Sequence, residues 1–252
     1  MHAMNGGSST LLSIKDATKT FQLGQHEVPV LTGVNLKLEA GETCAIMGPS
    51  GVGKSTLLNI IAGLETTNRG AVHLFGQDLA QLSDNQRTKL RRGDIGMIYQ
   101  FFNLVPNLTV RENIELPYLI DNRIPDTEEV TAAIESVGIG QRTQHFPAQL
   151  SGGEMQLVSI ARAMVRKPRL ILADEPTGNV NVATGKLIMK ILLSAAKDSA
   201  SALLLVTHNP EDAAKANRVV FMLDGKIDTR VELSGNEVSS AAIHKVLSEL
   251  EI

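Results

Sequence analysis

Short alternating runs of apolar residues open the chain, as between Leu12 and Ile14 and between Leu31 and Leu38. This period of two predicts strands across residues 11–47. The pattern predicts that these strands are interrupted at Gly24, Pro29, Gly33 and Gly41. Residues 42–47 form a short apolar run, which is typical of a buried strand.

A glycine-rich segment follows that run, and a helical pattern comes next. Residues 55–64 have helical spacing, and Gly63 marks the end of this predicted helix. Further on, the polar stretch 81–92 predicts a helix, and so does the spacing of residues 126–137. Thr109 with Glu112 resembles a capping box, so we interpret about residues 100–165 as a helical subdomain.

Strand patterns return in the last third of the chain. Apolar runs at 170–173 and 203–206 predict two strands with a helix over 183–196 between them. Strand, helix and strand at this spacing predict a right-handed parallel crossover. The runs 219–223 and 226–233 predict a hairpin around Asp224-Gly225, and residues 236–250 predict a terminal helix.

Composition narrows the class of protein. The chain has 252 residues, ordinary hydrophobic content and a net charge of −3, which argues against a dedicated nucleic-acid binder. Cys44 is the only cysteine, so an internal disulfide is excluded. The apolar run 203–206 is strand-length and far too short to span a bilayer. Residues 1–10 resemble a flexible lead rather than a signal peptide. We expect a soluble protein that reaches a membrane through a partner.

The glycine-rich segment fits the pattern G-x-x-x-x-G-K-[ST]. It consists of Gly48, Pro49, Ser50, Gly51, Val52, Gly53, Lys54 and Ser55, and we include Thr56 in the candidate nucleotide site. Successive backbone N–H groups around a glycine turn bind phosphate oxygens, and the following helix adds its positive end. Lys54 can supply charge to the outer phosphates and Ser55 a hydroxyl to Mg²⁺. The alternative is a glycine-rich turn that matches by chance.

A second element is the apolar strand 170–173 that ends in Asp174 and Glu175. It puts carboxylates at the carboxyl edge of a parallel sheet, where the ligands of such sheets bind. Asp174 can hold Mg²⁺ through water, and Glu175 can orient or deprotonate an attacking water. An acidic pair in a solvated turn is the alternative.

A third element lies about a hundred residues after the first loop. Ser151 with Glu154 is a capping box, and Gly152 and Gly153 allow a ligand to approach the backbone closely. The segment therefore predicts a second helix amino terminus suited to an anion. On the local pattern alone, an ordinary capped helix is the better interpretation.

Three single residues join these elements. His208 follows the strand 203–206 and so lies at a sheet edge, where a lone histidine is more often structural. Gln100 follows the apolar Ile98-Tyr99, which by itself indicates nothing. Phe21 lies in a stretch that we interpret as a polar turn, where it can stack on a base or fill the core.

The ordered set resembles the nucleotide-binding subunit of ABC transporters from about residue 11 to residue 230. In family order, Walker A lies at 48–55, the Q-loop at Gln100, the signature at 150–154, Walker B at 170–174 and the switch histidine at His208. The stretches 45–51, 146–154 and 174–179 are similar to the MacB/LolD/FtsE branch. That branch partners with permeases of few membrane helices and large extracytoplasmic domains.

The resemblance implies an α/β fold: a P-loop NTPase with a RecA-like core, an amino-terminal antiparallel β subdomain and a helical signature subdomain. The ABC domain would span residues 11–235 and a carboxyl-terminal helix residues 236–252. ATP and Mg²⁺ would be the cofactors. By resemblance, Phe21 stacks on adenine, Gln100 contacts Mg²⁺ and the permease, Glu175 is the catalytic carboxylate and His208 senses the γ-phosphate.

The resemblance also implies partners. Ser151, Gly152 and Gly153 would contact ATP bound by the opposite subunit of a head-to-tail homodimer that closes under two-fold symmetry. The expected function is an ATPase that powers a permease for export or extraction, on the cytoplasmic face of the inner membrane. One alternative is a soluble ABC ATPase acting on DNA or ribosomes. Another is a regulatory subunit that controls envelope or cell-division enzymes through a membrane partner.

Two positions depart from the branch. Asn181 stands where an aspartate is usual, so the charge is lost while shape and hydrogen-bonding capacity remain. Leu157 stands where arginine is usual, which removes a cation from the signature helix. The lost charge at Asn181 bears on coupling between subunits or on the hydrolysis rate, whereas the phosphate, metal and water-directing residues are all present.

Overall fold

A computed structural model describes residues 10–252. The flexible lead expected over residues 1–10 lies outside the described residues, apart from Thr10, which begins the first strand. The strands are β1 (Thr10–Leu23), β2 (His26–Glu39), β3 (Thr43–Met47), β4 (Arg69–Leu74), β5 (Gln77–Asp78), β6 (Ile95–Ile98), β7 (Leu170–Asp174), β8 (Ala202–Val206), β9 (Arg218–Leu223) and β10 (Lys226–Ser234). The helices are α1 (Lys54–Ile61), α2 (Asp84–Gly93), α3 (Val110–Ile120), α4 (Thr127–Ser136), α5 (Gly152–Met164), α6 (Val182–Asp198), α7 (Pro210–Ala213) and α8 (Ser240–Glu249).

The strands form two sheets. An antiparallel sheet has the order β2-β1-β4-β5, and a larger sheet has the order β10-β9-β3-β8-β7-β6. The larger sheet is parallel from β9 to β6, and β10 pairs antiparallel at its edge. The α/β fold with an antiparallel sheet beside a parallel-rich sheet is therefore confirmed.

The amino-terminal strands are longer than the sequence predicts. Pro29 and Gly33 lie inside β2 and do not end it. Because β2 is an edge strand, a proline without an N–H can be accommodated there. The expected turn around Phe21 was also wrong, because Phe21 pairs with Val28 within the β1–β2 ladder and the turn comes at Gly24. Register shifts along this ladder interrupt the period-two alternation on which the sequence prediction relied.

The parallel strand–helix–strand unit and the hairpin of the last third are confirmed. Strands β7 and β8 pair in parallel and α6 connects them, while β9 and β10 pair antiparallel around Asp224-Gly225. Every residue of β8 is buried, as expected for a strand inside a parallel sheet. Buried side chains pack on both faces of this sheet.

Helix starts follow the capping pattern. Capping boxes form at Ser83 with Gln86, Thr109 with Glu112 and Ser151 with Glu154. The carboxyl-terminal helix begins at Ser240 rather than at residue 236, because Gly235–Glu237 form a 3-10 turn and the Ser239 hydroxyl caps the helix. In residues 10–252, none of these helices has both the length and the apolarity to cross a bilayer.

The two departures from the branch have local explanations. Leu157 lies on α5, is 8% exposed and packs into the hydrophobic core. Asn181 precedes α6, and its side-chain oxygen accepts a hydrogen bond from the Thr184 N–H at 3.0 Å. Asn and Asp are about equally good at this capping position, so the change from the usual aspartate leaves the cap intact.

We predict that Cys44 is protected in the native state. It lies fully buried in β3, and burial raises the pKa of its thiol to about 12. Because the thiolate is the reactive form, a thiol reagent should label Cys44 only as the chain unfolds. A Ser248→Cys variant is the control, since Ser248 is exposed on α8 and the new thiol should react at once. Rapid labelling of the wild-type chain in native buffer would contradict this burial.

Substitutions at Asn181 should separate capping from charge. Asn181→Ala should lower the free energy of unfolding by about 1 kcal/mol because the Thr184 N–H loses its acceptor. Asn181→Asp should change it by less than about 0.5 kcal/mol. Urea unfolding of the three proteins measures both values, and equal losses in the two variants would show that capping is not what Asn181 provides.

Candidate nucleotide-binding and hydrolysis site

Four loops meet at one edge of the larger sheet. They follow β3, β6, β7 and β8, which are parallel and lie together in the order β3-β8-β7-β6. The carboxyl ends of these strands therefore point to the same side. Loops at this edge are where parallel sheets bind ligands, and these four carry the chemistry singled out in the sequence.

The loop between β3 and α1 is shaped by glycines. Gly48 has φ +153°, and a Cβ atom there would lie 2.2 Å from the Met222 carbonyl oxygen on β9. Gly53 has φ +102°, and a Cβ atom there would lie 2.8 Å from the Val30 carbonyl oxygen. Only glycine fits these two close approaches without a shift of the backbone. The loop can therefore lie against both sheets and present its N–H groups, with the first turn of α1, to an anion.

Lys54 begins α1 and lies over this loop. Its Nζ donates hydrogen bonds to the carbonyl oxygens of Gly48 and Pro49, both at 2.7 Å. Burial lowers the pKa of Lys54 below its usual value, and the negative charges of Glu175 and Asp174 oppose that shift. The ammonium is thus held between the loop and the acid pair, where it can meet a phosphate.

The acid pair lies where β7 ends. Asp174 is the last residue of the strand and Glu175 follows with φ +48°, a backbone conformation that costs of order 1–3 kcal/mol for a non-glycine residue. The Glu175 carboxylate is mostly buried, and its Oε2 lies 2.8 Å from His208 Nδ1. His208 follows β8, and its backbone N–H also faces Oε2, at 3.4 Å. The geometry pairs the acid of one loop with the histidine of the next.

A cavity of about 480 Å³ joins these groups. Apart from Val30, its lining consists of residues singled out in the sequence: Ser50, Gly51, Gly53, Lys54, Ser55, Thr56, Gln100, Asp174, Glu175 and His208. The glycine-rich backbone, a cation, polar oxygen atoms and a carboxylate paired with a histidine thus share one space. This combination can bind a nucleoside triphosphate and direct a water to it.

The oxygen donors of the cavity suit Mg²⁺. Ser55, Asp174 and Gln100 offer a hydroxyl, a carboxylate and an amide oxygen to the same space. Among residues 10–252, no cluster of three or more His, Cys, Asp or Glu side chains is arranged for a metal. Mg²⁺ typically uses one or two protein oxygens together with phosphates and water, so this sparse donor set fits it.

Some predicted residues lie outside the cavity lining. Gly48, Pro49 and Val52 belong to the glycine-rich loop but do not line the cavity. Phe21 lies on β1, with the Lys19 ammonium 4.9 Å from its ring centre. Ser151, Gly152 and Gly153 also lie elsewhere, at the start of α5. A Cβ atom at Gly153 would come within 2.6 Å of the Thr184 side chain, so α5 begins close against the start of α6. One chain therefore does not bring its own signature segment into its own cavity.

Sequence reasoning missed several residues at this site. Val30 of β2 lines the cavity, and its carbonyl oxygen lies close to Gly53. No pattern in the sequence around Val30 predicts this proximity. The side-chain amide of Asn179 donates to the Gln100 carbonyl oxygen at 2.7 Å and ties the loop after β7 to the loop after β6. Phe101, next to Gln100, is 69% exposed. The aromatic pair Phe101-Phe102, which follows Gln100 shortly after a buried strand, is the signal that points to this surface.

Comparison with known proteins agrees with this geometry. A model of the family described as "ABC transporter" matches residues 31–178. The lipoprotein-releasing system ATP-binding protein LolD of Pseudomonas fluorescens is 43% identical over 219 residues, covering 86% of this chain and 96% of that protein. The uncharacterized ABC transporter ATP-binding protein YbbA of Escherichia coli K12 is 40% identical, covering 87% of this chain and 97% of that protein.

A solved structure extends the similarity to three dimensions. It is the dimeric, post-hydrolysis state of an ATP-binding cassette bound to ADP and Pi. Its TM-score is 0.82 at 36% identity, covering 88% of this chain and 98% of that one. Since the family model matches more than half of the chain and these relatives align along nearly their whole length, the chain belongs to the ABC transporter family, as an ATP-binding and ATP-hydrolysing subunit.

Proposed function

We propose that this ATPase binds MgATP in the cavity described above, hydrolyses it in a dimer with a second copy, and drives a membrane permease with the resulting movement. The observation that carries the proposal is the single cavity shared by the phosphate loop, Gln100, the acid pair and His208. Each of these groups comes from a different loop at the same sheet edge, so the fold of the sheet brings them together.

The phosphate loop provides the binding step. The N–H groups at Gly51 and Gly53 and the start of α1 bind phosphate oxygens, and Lys54 exchanges its two carbonyl partners for the outer phosphates. We assign the adenine to Phe21. Its cross-strand partner Val28 lies two residues from Val30, which lines the cavity, so the aromatic ring is carried on the adjoining stretch of the β1–β2 ladder.

Ser55, Asp174 and Gln100 are the residues that would hold Mg²⁺. When bound, the ion neutralises charge on the outer phosphates. The protein side chains fix where the γ-phosphate lies relative to Glu175. Gln100 is itself held in register with the loop after β7 through the bond from Asn179 to its carbonyl oxygen.

Glu175 and His208 provide the hydrolytic step. A water oxygen attacks the γ-phosphorus, the bond to the bridging oxygen of ADP breaks, and the water proton passes toward the Glu175 carboxylate. His208 holds Oε2 of that carboxylate at 2.8 Å and so orients it. The imidazole is largely exposed on its other side, where it can contact the γ-phosphate.

The signature segment is assigned to the site of a second subunit. Ser151 caps α5, and Gly152 and Gly153 place no side chain at the start of this helix, which suits the approach of an anion. The segment lies outside the cavity of its own chain. The similar solved cassette is dimeric, which supports a two-fold, head-to-tail homodimer in which each signature segment meets the ATP held by the partner.

A second cleft supports docking of a permease. It has a volume of about 570 Å³ and includes Tyr99 and Asn103, which flank the loop of Gln100 in sequence. Arginines and apolar side chains of α2, α3 and α5 line it, among them Arg91, Arg162 and the half-exposed Ile120. A partner seated here would contact the Gln100 loop directly, so its movement would follow the nucleotide site.

The names of relatives point to the cargo. LolD is named for a lipoprotein-releasing system, and we infer that this chain also powers the extraction of lipoprotein by a membrane permease. The chain itself would lie peripherally at the cytoplasmic face of the inner membrane. Helices α2, α3 and α4 are 10 or 11 residues long, which leaves no place for the long coiled coil of DNA-repair relatives. A regulatory role rested on Asn181 alone, and this residue retains its capping function.

Replacing Glu175 with Gln tests the proposed function. The Glu175→Gln variant keeps the shape of the site but loses the proton acceptor, so ATP should bind while turnover falls by at least about a hundredfold. Size-exclusion chromatography should then show a stable dimer that retains ATP. Glu237→Gln is the matched control, because Glu237 is an exposed carboxylate outside the cavity lining. Loss of the Glu237 charge should leave turnover unchanged. Undiminished hydrolysis by Glu175→Gln would overturn the assignment.

A further inference from the structure

The loop after β7 and the loop after β8 contact each other twice. The first contact is the pair Glu175 and His208, which faces the cavity. The second lies deeper: the Thr177 hydroxyl donates a hydrogen bond to Asp212 Oδ2 at 2.7 Å. Thr177 comes two residues after Glu175, and Asp212 comes four residues after His208. The buried contact therefore joins the same two loops just behind the pair that faces the nucleotide site.

Asp212 is unusually placed for a carboxylate. Its side chain is only 5% exposed, on the short helix α7. Besides the Thr177 hydroxyl, it receives the Lys215 ammonium at 2.8 Å and the Asn209 side-chain amide at 3.4 Å. A buried charge is costly unless it is paired and hydrogen-bonded, and each donor here satisfies part of that requirement. The carboxylate thus requires that Thr177, Asn209 and Lys215 stay in place around it.

Two of these donors, Asn209 and Thr177, belong to segments that position a functional residue. Asn209 is adjacent to His208, and the Asn209 carbonyl oxygen accepts a hydrogen bond from the Asp212 N–H at 3.1 Å. Asp212 therefore binds Asn209 through both its backbone and its side chain. Thr177 is adjacent to Gly178, whose N–H donates to the Glu175 carbonyl oxygen at 3.0 Å. Asp212 therefore binds Asn209, the residue after His208, and Thr177, which lies in the tight turn that begins at Glu175.

The backbone of Glu175 explains why such a tie is needed. Its positive φ is unfavourable for a side chain and persists only where the surroundings over-determine it. The Glu175 N–H is held by the Val206 carbonyl oxygen at 2.9 Å, and the bond from Thr177 to Asp212 holds the chain on the other side. Without the latter, the turn keeps the bond from the Gln156 side-chain amide to the Pro176 carbonyl oxygen at 2.9 Å but loses its buried bond to the segment that follows His208.

We propose that Asp212 is a positioning residue for hydrolysis, which joins the loop of Glu175 to the loop of His208 through Thr177 and Asn209 and so sets the geometry of the Glu175–His208 pair. This inference rests on the proposed roles of Glu175 and His208. Asp212 does not touch the cavity lining, so its effect should appear in the chemical step and leave ATP binding unchanged.

The test compares substitutions on both sides of the contact. Thr177→Val keeps the shape and removes the hydroxyl, and Asp212→Leu removes the acceptor. In each, kcat for ATP should fall about tenfold while KM stays within about twofold, because a misplaced acid slows chemistry without weakening phosphate binding. Thr177→Ser restores the hydroxyl and should recover most of the wild-type kcat. A purely packing role for Thr177 would make Ser no better than Val.

A double-mutant cycle sharpens the test. If the two residues act through one contact, the Thr177→Val/Asp212→Leu double variant should be no slower than about the worse single variant. Ser240→Ala is the control for general loosening of α7, because it removes only the hydrogen bond from Ser240 to Glu211 on the outer side of that helix. Its kcat should be unchanged.

The outcomes distinguish this inference from the proposed function. An inactive Glu175→Gln variant together with unaltered kcat in Thr177→Val overturns the role of Asp212 and leaves the proposed function standing. Turnover that survives Glu175→Gln overturns the proposed function itself. Should Asp212→Leu fail to fold, the comparison of Thr177→Val with Thr177→Ser decides, and equal kcat values or a rise in KM that accounts for the whole loss would contradict the inference.

Discussion

The site depends on the parallel alignment of β3, β8, β7 and β6, which places four carboxyl ends at one edge of the sheet. Each strand delivers one function to that edge: phosphate loop, histidine, acid pair and glutamine. The alignment is tight enough that the loop after β3 approaches the backbone of β9 at Gly48, where no side chain fits. A parallel sheet of buried strands is rigid, so it can hold these groups at fixed separations while the loops themselves stay polar.

Local chemistry explains which parts could be predicted from the sequence. Lys54 and Ser55 lie in a pattern whose flanking strand and helix are adjacent in the chain. Asp174 and Glu175 end an apolar strand. Each motif can therefore be predicted from its sequence neighbours. His208 and Gln100 gained meaning only from their order in the family. The capping boxes at Thr109 and Ser151 were predicted correctly because three residues carry the whole signal.

What could not be predicted is non-local. The bond from Thr177 to Asp212 joins residues 35 apart, and the bond from Asn179 to Gln100 joins residues 79 apart, and neither has a local pattern. Phe21 was misplaced in a turn because bulges in the β1–β2 ladder interrupt the alternation that identifies a strand. At Asn181 the sequence departs from the branch, which usually has an aspartate there. The structure places Asn181 before α6, where its side-chain oxygen caps the helix without a charge.

Because the signature segment lies outside the cavity of its own chain, we infer that each nucleotide site is completed by a second copy of the chain. Mixing two defective subunits tests this most directly. In a Glu175→Gln background, one tagged subunit carries Lys54→Met and the other Ser151→Arg, and mixed dimers are isolated through both tags. A mixed dimer should retain one ATP, because the intact phosphate loop of one subunit meets the intact signature segment of the other, while each parent dimer should retain none. Mixed dimers that retain no ATP would contradict it.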